Sequence, residues 1–77
     1  MVDHLTRVTI DARSPRAEDL ACALSERGFA IHRERRCVLA DSTEVEGQVV
    51  KTYLRARGFE DREFQVFVEF VRRWGIL

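Results

Sequence analysis

Several things are scarce in these 77 residues, and each scarcity removes a class of protein. There are two cysteines, Cys22 and Cys37, where a secreted domain this small would ordinarily carry several disulfides; reduced thiols are expected. His4 and His32 do not join them at any two-to-four-residue ligand spacing, so no metal site and no cofactor is expected. No stretch of eighteen apolar residues occurs, and the N-terminal "MVDHLTRVTIDARS" has neither a basic region nor an apolar one of signal-peptide type. A soluble, cytoplasmic protein with no membrane partner is the expectation. No glycine-rich phosphate loop is present, and the single proline, Pro15, stands near the start of a helix-like segment. Net charge is absent as well: thirteen basic and thirteen acidic side chains cancel, which leaves no global field to draw in nucleic acid or an anionic membrane.

What is present suits one small globular domain, residues 1–77. Apolar residues are 45% and charged residues 34%, well away from disordered composition. A chain of this length buries only about 60–65% of its unfolded surface, so its stability is marginal. Lys51 is the single lysine against twelve arginines. No internal repeat, low-complexity tract or linker stands out.

Along the chain, "LTRVTID" alternates, with Thr6, Val8 and Ile10 on one face, and reads as a half-buried strand. In "SPRAEDLACALSERG", Ser14 as cap, Pro15 at the first helical position and Gly28 just past the end delimit a helix. Its buried stripe is Ala17, Leu20, Ala21 and Leu24, with Arg16, Asp19 and Glu26 toward water. "FAIHRERRCVLAD" is apolar at both ends and fits one long strand or a hairpin, the hairpin being favoured on length. A two-residue loop would put Phe29 and Ile31 on the face of Val38 and Ala40, and a three- or five-residue loop with Cys37 and Leu39.

From Ser42 the period becomes helical, with Ser42 or Thr43 as cap. Val45, Val49, Tyr53 and Ala56 share an arc, and Val50 and Leu54 sit on its shoulder. Gly58 ends this helix, and Phe59 can fold back as the glycine cap's apolar partner. Asp61 can cap a last helix running through Trp74 and ended by Gly75. On it Phe64, Val68, Val71, Phe67 and Trp74 make one stripe that Phe70 and Val66 widen to about half the circumference, against the 100° or so that one surface hides. The expected fold is α+β: a small two- or three-stranded sheet, β-α-β-(β)-α-α, covered by helices and closed by a C-terminal helical hairpin. The first strand-helix-strand unit should make its two strands parallel. Leu54, Arg57-Gly58-Phe59, Phe64, Val68, Val71 and Gly75-Ile76-Leu77 together resemble, over residues 54–77, the helical repeats of the RecX family of recombination regulators. That resemblance implies a helical hairpin there, and no function is carried across with it.

For function, His32, Cys37, Asp41 and Ser42 are near in sequence but do not form a nucleophile-base-oxyanion set, so no enzyme is expected. The aromatic C-terminal helix points instead to a small noncatalytic interaction module, regulatory, adaptor or inhibitory, binding itself as a homodimer or a partner protein through Val66, Phe67, Phe70 and Trp74. The alternative is a nucleic-acid-binding regulator using Arg33, Arg35, Arg36, Lys51 and Arg55 with the helical hairpin. Against it, Asp61 and Glu63 would meet phosphate at the start of the reading helix. No small-molecule ligand is evident. Thiol titration of the unfolded protein, prepared without reductant, should return close to two free thiols per chain; none, with a monomer mass two units low, would establish a disulfide.

Overall fold

β1 (Val2–Asp11) has a hydrogen-bonded neighbour on each side, and everything else in the molecule is arranged on it. The computed structural model describes residues 2–72, with backbone alone for 2–3 and 69–72. After β1 come α1 (Ala17–Glu26), β2 (Ala30–Arg33), β3 (Cys37–Ser42), α2 (Gly47–Ala56), a single 3-10 turn (Asp61–Glu63) and β4 (Gln65–Arg72). The sheet order is β2-β3-β1-β4, and every neighbouring pair is antiparallel. β1 and β2 therefore run parallel, as expected, but with β3 inserted between them. Two interleaved β-α-β units of this kind make the split, ferredoxin-like topology.

One face of the sheet is dry. Val8, Ile10, Leu20, Leu24, Ala40, Val50 and Leu54 are fully buried, and Phe29, Val38, Phe59 and Phe64 nearly so. Both helices supply this cluster, so both cover the face that carries Thr6, Val8 and Ile10. The expected alternation of β1 is observed, and the hairpin is too: Ile31 pairs with Ala40 and Arg33 with Val38, and Glu34 N–H donates to the Cys37 carbonyl at 2.8 Å. Arg35 and Arg36 form the two-residue tip, which brings Phe29 and Ile31 to the face of Val38 and Ala40.

The C-terminal helical hairpin is not formed. Gln65–Arg72 is a strand, in unbroken antiparallel register with β1 from Val2↔Arg72 to Thr9↔Gln65. Val66, Phe67, Val68, Phe70 and Val71 are all β-branched or aromatic, types that fit a pleated sheet. The surplus of apolar surface around the helical wheel was the sign of a wrong period. On a strand the same residues divide between two faces, with Val66 opposite Val8 and Val68 opposite Thr6 on the covered side, and Phe67 opposite Arg7 on the other. Among the described residues the sheet has four strands instead of two or three, and Asp61 opens a 3-10 turn and caps no α-helix. The Glu60 and Glu63 side chains and main chains cap the 3-10 turn reciprocally, Glu60 N–H donating to Glu63 Oε2 at 2.7 Å.

The helix starts also move. α1 begins at Ala17 with Arg16 at its N-cap, while Ser14 and Pro15 belong to the preceding turn. Arg16, expected in water, lies 4.2 Å over the Phe59 ring, donates to the Gly58 carbonyl at 3.0 Å and pairs with Glu63 at 3.0 Å. α2 begins at Gly47, because Ser42 Oγ takes the Glu44 and Val45 N–H groups into a turn of their own. Its buried residues are Val50 and Leu54, expected only on the shoulder; of the expected arc, Tyr53 is half-buried, and Val49 and Ala56 are exposed. Tyr53 O–H donates to the Ala23 carbonyl at 2.8 Å and ties the helices together.

The structure also exposes an internal repeat. Val8, Ile10, Ala17, Leu20, Leu24 and Phe29 correspond, thirty positions on, to Val38, Ala40, Gly47, Val50, Leu54 and Phe59. Ala17 and Gly47 both open their helices. Both helices end in Leu-x-x-Arg-Gly-Phe with identical bonding, Phe29 N–H to the Leu24 carbonyl and Phe59 N–H to the Leu54 carbonyl, each 3.0 Å. This is a Schellman cap, its glycine in the left-handed region at φ 102° for Gly28 and 92° for Gly58. Nothing lies within 4 Å of a Cβ built on either. Gly28→Ala and Gly58→Ala should therefore each lose about 1–2 kcal/mol from backbone strain alone, and urea unfolding should find the two losses equal within error.

Candidate interaction surface

The face of the sheet opposite the helices has no cover among the described residues. Its side chains follow from the register. One row runs Ala30, Asp41, Arg7, Phe67 across the four strands, and the next runs His32, Leu39, Thr9, Gln65. Leu5, Leu39 and Thr9 are half-buried and Phe67 is 49% exposed. At the centre Arg7 grips Asp41 with two bonds, Nε to Oδ1 at 2.8 Å and a terminal nitrogen to Oδ2 at 3.0 Å. Hydrogen bonding from Arg7 holds the Asp41 carboxyl below its ordinary pKa, against the opposing effect of burial and with smaller help from the Arg7 and His32 charges. The result is a mixed surface on which Leu5, Leu39 and Phe67 stand around a central pair of charges that neutralise one another.

The outer edge of β4, which has no neighbouring strand among the described residues, borders this face. Phe67 and Val68, on its two sides, remain 49% and 45% exposed because an edge strand has a neighbour on one flank only. Lys51, Asp61, Phe64, Gln65, Val66 and Phe67 line a depression of about 300 Å³ there. On the helix side, Gly47 sits so close to β4 that a Cβ would stand 2.9 Å from Val68 Cγ2.

Of the residues singled out for partner binding, Val66 is half-buried in the core and Phe67 projects from the open face. Phe70 stands opposite His4 in the register, and Trp74 lies outside the described residues. The basic residues do not form one patch. Arg33 pairs with Glu18 on α1, and Arg35 and Arg36 are exposed at the β2-β3 tip. Arg55 is held by Asp61 through two bonds of 2.8 and 2.6 Å. α1 packs on β2 and β3 whereas α2 packs on β4, so the hairpin tip and the Lys51-Arg55 face belong to opposite edges of the sheet. Among the described residues no group of three or more His, Cys, Asp or Glu is placed to hold a metal ion, and no helix is long and apolar enough to cross a membrane. Sequence reasoning missed Leu5, Arg7, Leu39 and Asp41. The alternation that buried Val8 and Ala40 already sent their neighbours to the other face; only strand order made that face one surface.

Comparison with known protein families, with curated proteins and with solved structures finds no match for this chain.

Because the Asp41 pKa is depressed on folding, the Arg7–Asp41 pair contributes stability above the unfolded carboxylate value near 3.9, and that contribution is lost as pH falls through the lower folded value. Arg7 is 37% exposed, so solvent limits the pair to about 0.5–1 kcal/mol. Urea unfolding of the parent and Arg7→Ala should show this gap at neutral pH, closing on acidification below about pH 4; a gap independent of pH would assign the loss to packing of the Arg7 stem.

Proposed function

We propose that the chain is a small noncatalytic protein-interaction module of the cytoplasm, a regulatory, adaptor or inhibitor protein, that binds itself or a partner protein through β4 and the open sheet face beside it. One observation carries this reading. β4 is an eight-residue edge strand with no proline and an unbroken register, and it leaves Phe67 and Val68 exposed on its two sides. Strands of this kind are templates for other chains unless something covers them.

The nucleic-acid reading has less support. Sheets that read single-stranded RNA stack bases on aromatic side chains, and here the open faces of the central strands carry Leu5, Arg7, Thr9, Cys37, Leu39 and Asp41. The basic residues sit at opposite edges and two of them are neutralised by acids.

The test is recovery of partners on the tagged chain from its native host, with Phe67→Asp and Arg35→Glu/Arg36→Glu as comparisons. Burying the exposed half of a phenylalanine contributes about 1–1.5 kcal/mol, so Phe67→Asp should cut protein recovery roughly tenfold while circular dichroism remains that of the parent. The double arginine variant should recover the same protein as the parent. Recovery of nucleic acid instead, weakening by about 0.9 log units per log unit of salt for each phosphate neutralised and lost with the arginines, would replace this reading.

A further inference from the structure

We draw no further inference here: the strongest candidate, the cavity of about 310 Å³ that His4, Glu46 and Gly47 line at the start of α2, where His4 Nε2 is buried with no hydrogen-bond partner among the described residues, rests on a helix N-terminus and on a histidine that is itself only half-buried, and nothing in the structure shows what covers it.

Discussion

The structure depends on the requirement that one face of β1 be dry. Thr6, Val8 and Ile10 are wholly buried, and a strand whose alternate residues are excluded from water needs neighbours on both flanks and a layer above. β3 and β4 supply the flanks, and the two helices supply the layer. The opposite face has no such requirement. It is where the chain can carry Arg7 and Asp41 side by side, and where Leu5, Leu39 and Phe67 remain partly in reach of solvent. The candidate surface is the complement of the core, produced by the same alternation.

The second organising feature is the thirty-residue repeat. Each half places a strand, a helix, the Leu-x-x-Arg-Gly-Phe cap and a further strand, and the halves interleave so that each contributes one central strand and one edge. Where the halves diverge, function has room. The first goes straight from its cap into the short, charged β2. The second inserts Glu60–Phe64, with its 3-10 turn and the Arg16 contacts, before the long β4. The asymmetry between the two edges arises there.

β1, the span of α1 from Ala17, the hairpin and both glycine caps were legible because each rests on local chemistry: alternation, strand length, or left-handed glycine. The face taken by Phe29 and Ile31 stayed open, because it turns on a loop length that only the register fixes. The last segment was misread for an equally local reason. Val66 to Val71 satisfies a helical wheel and a strand alternation at once, and a short apolar run cannot be assigned by periodicity alone. Two signals favoured the strand: the concentration of β-branched and aromatic residues, and the repeat, which calls for a strand after Phe59 as there is one after Phe29. The resemblance of residues 54–77 to RecX repeats drew on the cap and the spaced apolar residues, features that the strand shares.

By itself, then, the sequence determined the dry faces of β1 and α1, where the two helices stop, and that charge is balanced, because these follow from side-chain polarity and from the conformational freedom of single glycines. Tertiary structure decided the rest. It chose strand over helix for β4, since β1 needed a second flank; it separated Arg35 and Arg36 from Lys51 and Arg55 by inserting two central strands between the edges; and it brought Arg7 to Asp41 across thirty-four positions of chain. Those outcomes depend on strand order, which is set by the sum of contacts over the whole sheet and is not encoded in any single stretch of it.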